Sequence, residues 1–430
     1  MSFLKKSIFV SGSQLLAVIF SALTGILLSR ALGPNGIGQF EFFRNILLIA
    51  CTFFAMGIGN ANIYFLNNLK IPFNTITTNS LKVGIGLAFL LACCMTFAFM
   101  GFKTYFGELP FPLTLFVSLG ASSHLLADIL RPILVAKLAS RKLAIVALVP
   151  PVLLLSLTLS FWLIGHLNTL SAIALLTVSF ISALSLNLLF TCEHIRIKSQ
   201  VDWKLFFSVL KYGIKLSAAN LLYLLSLNIS IFFLKYFMGE GFFDIGLYSR
   251  AAAVCGLILL IPQTFGSMLY AKWASAVSNS KSKQLEMTIR AFLTYGYIMV
   301  LVVIIFGKTI ISLLYGHAFL EAYQALAILA PAFIAIAMSG ACYNFLSSDG
   351  RAGLTTFFLI LSVFVSLIAN FSLIPFMGIR GAALGTLLGN GLATVVCFGF
   401  CVRAYNLNYL KCLIITRADL EFISKSLGAR

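Results

Sequence analysis

Charge is scarce in this chain. Lys, Arg, Asp and Glu together make up 10% of the 430 residues, and only 12 of them are acidic. A soluble domain of this size needs far more polar surface to cover its outside. Nucleotide and hydrolase signatures are missing too: the sequence contains no G-x-x-x-x-G-K-[ST], HExxH or G-x-S-x-G. ATP hydrolysis by a P-loop is thereby excluded, and no enzyme active site is visible. Nine cysteines occur without a Cys-x-x-Cys or Cys/His ligand spacing. They read as small apolar packing residues, and neither a metal nor a cofactor is expected. Strictly alternating short segments, the mark of a membrane barrel, are also lacking.

What is abundant is hydrocarbon. Sixty per cent of the residues are hydrophobic and the mean hydropathy is +1.03. Oily runs of about 20 residues, each long enough to cross a bilayer as a helix, recur along the whole length. Windows of about 19 residues place spans at 8–31, 39–66, 81–102, 112–137, 143–163, 169–192, 212–236, 246–270, 287–309, 324–347, 353–375 and 381–403. The expected fold is an all-α polytopic membrane protein of about twelve transmembrane helices. The basic start "MSFLKKSIFV" leads into an apolar run too long for a cleaved signal, so it is taken as the first span.

The net charge of +18 would point to nucleic acid in a soluble protein; here topology explains it, and no nucleic-acid partner is expected. Basic residues crowd the N-terminus (Lys5, Lys6), the even-numbered loops (for example Lys137, Arg141, Lys142) and the tail (for example Arg403, Arg417). Each odd-numbered loop has roughly one: Arg30, Lys103, Lys235, Lys308 and Arg380. The positive-inside rule then puts both termini in the cytoplasm, with some attraction to anionic membrane lipids. Residues 193–211 read as an amphipathic linker on the membrane surface, with Trp203, Phe206 and Phe207 among basic residues. The tail 404–430 carries Leu420, Ile423 and Leu427 at helical spacing, with Thr416 and Asp419 as a candidate cap.

The two halves repeat weakly. "LGPNGIGQF" joins spans one and two, and "FMGEGFFDIGLYSR" joins spans seven and eight. In both, glycine and a turn precede Ile-Gly, a gap and an aromatic residue: Ile37-Gly38-Gln39-Phe40 against Ile245-Gly246-Leu247-Tyr248. Gly33, Pro34, Asn35 and Gly36 should form a tight turn. The expected organisation is two six-helix bundles, 1–192 and 212–403, related by an internal repeat. Parallel repeats of this kind place a substrate cavity at their interface.

A charge deep in a bilayer costs several kcal/mol unless it faces a cavity or a partner. Glu41 and Arg44 lie three residues apart on one helix face. His124, Asp128 and Arg131 follow i, i+4, i+7 on another. Arg250 has no acid one turn away. Glu41–Arg44 and Asp128–Arg131 read either as local ion pairs or as part of a cavity lining. Three arginines against two acids would make that cavity positive and suited to a phosphate, which Arg binds in bidentate fashion. Glu41, Asp128 and His124 are equally candidates for proton or ion coupling. Gln14, Ser21 and Thr24 in span one, and Ser217, Asn220, Tyr223 and Asn228 in span seven, are polar enough to line a cavity or to bond between helices. Pro132, Pro262 and Pro331 are candidate kinks.

Three segments together, "SRALGPNGIGQF" (29–40), "IISLLYGHAFLEAYQALAILAP" (310–331) and "NFSLIPFMGIRGAALGTLLGN" (370–390), resemble the polysaccharide transport family of the multidrug/oligosaccharidyl-lipid/polysaccharide exporter superfamily. The resemblance implies an inverted-V fold of two six-helix bundles. It also implies a flippase of the O-antigen repeat-unit (Wzx) type. Such a protein moves an undecaprenyl-pyrophosphate-linked oligosaccharide from the cytoplasmic to the periplasmic leaflet of the inner membrane, alongside polysaccharide assembly proteins, with possible H⁺ or Na⁺ coupling. Arg30, Arg44, Arg131 and Arg250 are then the phosphate candidates, with Asn220 and Tyr223 for the sugar. The competing readings are a drug or small-molecule/H⁺ antiporter of the same superfamily and a membrane polysaccharide polymerase. A polymerase would show a large outer loop, which this sequence lacks.

Overall fold

The structure is a computed structural model and describes residues 3–107, 109–196, 201–239, 241–275, 278–409 and 412. Thirteen helices account for nearly all of them, and no strand occurs among the described residues. Eleven are apolar segments long enough to span a membrane. The first of these, Phe9–Ala55 within α1 (Phe3–Ala55), has 47 residues and would be about 70 Å long if straight, more than twice a hydrocarbon core of about 30 Å. It is not straight. Gly33 adopts φ 66° and ψ −178°, a left-handed φ that glycine reaches without Cβ strain. Pro34 restarts the helix at once, where its missing N–H costs nothing. The anticipated four-residue turn is therefore a single glycine hinge between two arms, and α1 supplies two of twelve spans.

The second arm ends at Met56 and Gly57, both with positive φ, and α2 (Ile58–Asn67) continues span two. The other spans are α3 (Phe73–Gly101), α5 (Phe111–Ala136), α6 (Ser140–Leu163), α7 (Thr169–Thr191), α8 (Trp203–Phe237), α9 (Phe243–Ser275), α10 (Ser278–Tyr315), α11 (Ala322–Ser348), α12 (Ala352–Met377) and α13 (Ile379–Tyr405). A single turn, α4 (Lys103–Phe106), joins α3 to α5. The protein is thus an all-α polytopic membrane protein of twelve spans in two repeated sets of six. Large apolar side chains such as Phe89, Phe97 and Phe376 project from the helices and are largely exposed, as suits a surface that faces lipid.

Residues 203–211, expected as a separate surface helix, run straight into span seven. Asp202 caps the start by accepting from the Leu205 N–H, 3.0 Å, and no helix breaker lies between Trp203 and the span. Gly213 passes through because its missing side chain lets it lie against the Met56 and Gly57 backbone. The candidate tail helix, with Thr416, Asp419, Leu420, Ile423 and Leu427, lies outside the described residues.

Two compact units divide the described chain: one holds 1–224 and 240–246, the other 225–239 and 247–430. In the first unit the two glycines of the repeat are used reciprocally. A Cβ on Gly38 would overlap the Phe242 carbonyl oxygen, and one on Gly246 would overlap that of Pro34. The Asn35 side chain accepts the Phe242 N–H at 2.8 Å, and the Phe42 and Phe242 rings pack at a tilt of 55°, centres 5.6 Å apart. One helix start is capped in full: the Asn168 side chain accepts from Ser171 N–H, and the Ser171 hydroxyl accepts from Asn168 N–H, both 2.8 Å. Asn168→Ala should lower thermal stability by about 1 kcal/mol, the usual value of such a cap. A melt of the detergent-solubilised protein checks it.

Candidate functional site: two cavities in the first unit

The intramembrane charges gather within the first unit. Arg44 lies eleven residues beyond the Gly33 hinge, about 16 Å along the helix, near mid-span. Its Nη2 meets the Glu41 carboxylate at 2.7 Å. Glu41 is buried, while the Arg44 side chain remains 41% exposed, toward a cavity of about 540 Å³. The local ion pair anticipated for these two therefore exists, and it lines the cavity as well. Glu41→Ala would leave the Arg44 charge uncompensated. Because Arg44 is partly solvated, the expected loss is about 1–2 kcal/mol rather than that of a sealed pair, read as a lower melting temperature, with Glu41→Gln recovering part of it.

The i, i+4 pair on α5 is His124 with Asp128, Nε2 to Oδ2 3.7 Å. The His124 ring stacks on Phe180 at 4.4 Å, which fixes its plane. The alternative pair, Asp128 with Arg131, does not form: no ion pair involving Arg131 occurs among the described residues. Glu41, Arg44, His124, Asp128 and Arg131 all line the 540 Å³ cavity, as do Gln14, Ser21 and Thr24 from the first arm of α1. Two carboxylates and two guanidinium groups therefore face one space, so the surplus of positive charge expected for it is absent from its arginine and carboxylate lining.

Asp128 and Arg131 also line a second cavity of about 630 Å³. Its other polar walls come from Thr52, Asn60, Ser217, Asn220 and Tyr223. The α5 turn carrying Asp128 and Arg131 is thus a wall common to both spaces. The chain approaches closely there because Gly59 has no Cβ to strike the Asp128 carbonyl or Pro132. Pro132 cannot donate to that carbonyl either, so this oxygen loses its ordinary helix partner.

Two sequence candidates lie elsewhere. Arg30 is exposed and lines neither cavity. Arg250 belongs to the second unit, where it is buried with its guanidinium 5.6 Å from the Tyr315 ring centre. The surplus charge counted along the sequence is therefore distributed between units rather than pooled in this cavity. Asn228 lines neither cavity. In contrast, sequence reasoning passed over Pro150 and Pro151. Both lie inside α6 and line the first cavity, together with Val146 and Ala147. Neither proline can donate a hydrogen bond, so the carbonyls of Val146 and Ala147 lose their i+4 partners. A proline pair in the middle of an apolar run was the signal. Asn187, whose Oδ1 is buried without a partner, also faces this space.

Comparison with known proteins places this geometry. A curated relative, the probable low-salt glycan biosynthesis flippase Agl15 of Haloferax volcanii, is 27% identical over 156 residues. The match covers 35% of this chain and only a third of that relative's length. Among solved structures, the inward-facing form of a multidrug resistance MATE family transporter of the MOP superfamily has a TM-score of 0.73 at 14% identity, covering 93% of this chain and 98% of that one. A MOP superfamily transporter from Pyrococcus furiosus, for which reverse polarity of the binding pocket suggests different function, has a TM-score of 0.67 at 15% identity over 94% and 96%. These likenesses show the fold. The model of one family, polysaccharide biosynthesis protein, matches residues 27–324, a span that includes the second cavity, the walls of the first other than the N-terminal arm of α1, and all of the charges just described, and the chain belongs to that family.

Proposed function

We propose that this protein is a flippase of the O-antigen repeat-unit (Wzx) type. It carries an undecaprenyl-pyrophosphate-linked oligosaccharide from the cytoplasmic to the periplasmic leaflet of a bacterial inner membrane. Both termini then face the cytoplasm, and the chain works as a transporter within a polysaccharide assembly system rather than as an enzyme. The observation that carries this reading is Arg131. It is an intramembrane guanidinium on the wall common to two cavities, without an ion partner among the described residues. An unpaired cation at that depth is costly unless an anion visits it, and the guanidinium fork matches phosphate oxygens.

In this reading Arg131 and Arg44 hold the pyrophosphate, and Asn220 and Tyr223 meet the sugar. Each cavity is the size of a pocket for one drug-sized ligand, so the isoprenoid tail stays in the lipid. Glu41, Asp128 and His124 are the candidates for ion coupling. Arg30 and Arg250 take no part in either cavity and receive no role in phosphate binding here.

One observation favours a second reading. Glu41 and Asp128 put two carboxylates in the first cavity, which suits an organic cation exchanged for protons. The deciding experiment is a strain lacking this gene, assayed for surface polysaccharide and for lipid-linked repeat units on each leaflet. Loss of polymer with single units trapped on the cytoplasmic leaflet supports the flippase. Single units reaching the surface without long chains indicates a polymerase. An unchanged lipid-linked pool with raised sensitivity to cationic drugs indicates the antiporter.

A further inference from the structure

Three cysteines that are far apart in sequence converge in the second unit. Cys342 comes from α11, and Cys397 and Cys401 lie one turn apart on α13. Their Sγ atoms all fall within 4.8 Å of one another, and all three are buried. We propose that they form a binding site for a soft monovalent cation of the Cu⁺ class, which staples α11 to α13.

Packing alone accounts for burial but not for convergence. Two other buried cysteines behave as isolated small residues: Cys51 Sγ lies 3.2 Å from the Ala121 carbonyl and Cys255 Sγ 4.0 Å from that of Leu326. The three here instead face one another, every Sγ within 4.8 Å of the other two. With metal–sulfur bonds of about 2.3 Å, three sulfurs around a central ion stand about 4 Å apart, so only small rotamer adjustments separate this cluster from ligation. No His or carboxylate joins the group among the described residues. A tetrahedral ion such as Zn²⁺ therefore lacks its fourth ligand, whereas thiolate softness and three-coordination suit Cu⁺.

Charge balance points the same way. Cu⁺ entering three thiols displaces one proton and gives one thiolate and two thiols around the ion: Cu⁺ + 3 RSH → Cu(SR)(RSH)₂ + H⁺. The product is neutral, as an apolar core requires, and no redox step is involved. Access is short. Cys401 lies four residues before the end of α13 at Tyr405 and Cys342 six before the end of α11 at Ser348, about 6 and 9 Å along their helices. Both ends lie on the same side of the unit, where the Tyr405 hydroxyl donates to Asp349 at 2.6 Å.

The test uses the full-length protein in detergent. Cys51, Cys93, Cys94, Cys192, Cys255 and Cys412 are replaced by alanine, and Cu⁺ is titrated against a chromogenic Cu⁺ chelator. One tightly held Cu⁺ per chain is expected, with a rise in melting temperature on binding. Adding Cys401→Ala should weaken retention at least a hundredfold. In parallel, X-ray absorption on the wild-type chain loaded with one equivalent of Cu⁺ should show three sulfur neighbours, and Cys342→Ala should reduce them to two. A folded six-alanine variant that loses all Cu⁺ to the chelator overturns the proposal. So does a wild-type spectrum unaffected by Cys342→Ala, which decides the matter even if the six-alanine variant fails to fold.

Discussion

Arg131→Ala is expected to reduce export of lipid-linked repeat units at least about tenfold while the protein still inserts and folds. Charged hydrogen bonds contribute about 1.5–3 kcal/mol each, and a bidentate grip on phosphate makes two. Losing half of that total already exceeds the 1.4 kcal/mol that corresponds to a factor of ten. Arg131 has no ion partner among the described residues, so its removal strands no buried carboxylate, and folding should survive. Arg131→Lys should restore only part of the activity, because an ammonium keeps the charge but loses the planar fork. The check is complementation of a deletion strain, with membrane levels of each variant quantified in parallel. Normal export by Arg131→Ala at normal abundance would remove phosphate binding from this site. Arg44→Ala makes a useful contrast: it takes the 2.7 Å guanidinium contact away from the buried Glu41 carboxylate, so a loss of stability should accompany any loss of transport.

The second large effect concerns the hinge segments. Gly38→Ala and Gly246→Ala each place a methyl group on a carbonyl oxygen, of Phe242 and of Pro34 respectively. Backbone atoms cannot rotate aside as a side chain can. The cost should lie at or beyond the upper end of ordinary overpacking, about 3 kcal/mol. Two helical glycines supply the control. A Cβ on Gly12 or Gly86 meets open space, and alanine there should be neutral or slightly stabilising, since it is the better helix former. Thermal melts of the four variants distinguish close approach from a general intolerance of substitution. Equal melting temperatures in all four would show that the contact between these segments is not maintained in the membrane.

Much of the candidate site was visible along one dimension because helices make spacing informative. Glu41–Arg44 share a face at i, i+3, and His124–Asp128–Arg131 at i, i+4, i+7; both sets line the same cavity. Gln14, Ser21 and Thr24 were polar interruptions of an oily run, and so were Ser217, Asn220 and Tyr223. The choice of partner was not visible. Asp128 has His124 and Arg131 at comparable spacing, and rotamers set by neighbours such as Phe180 give it to His124. Arg250 was counted with the same cavity because it is a third arginine inside an apolar span, with no acid one turn away. The fold puts it in the other unit, beside Tyr315, and not in that cavity.

Hydropathy and length alone determined that this chain crosses a membrane twelve times. An uncharged run of about 20 residues has no other stable solution than a helix in lipid. Glycine and proline at 33–34 marked where the first helix turns back, since few other residues tolerate that backbone. Tertiary structure alone decided which charges meet, that one turn of α5 walls two cavities, and that three cysteines spread over sixty residues reach one point. These depend on how helices rotate and pack against each other. In a chain so uniformly oily the apolar pattern runs round every helix and leaves that rotation unspecified; close contacts between particular small residues, such as Gly38 and Gly59, set it instead.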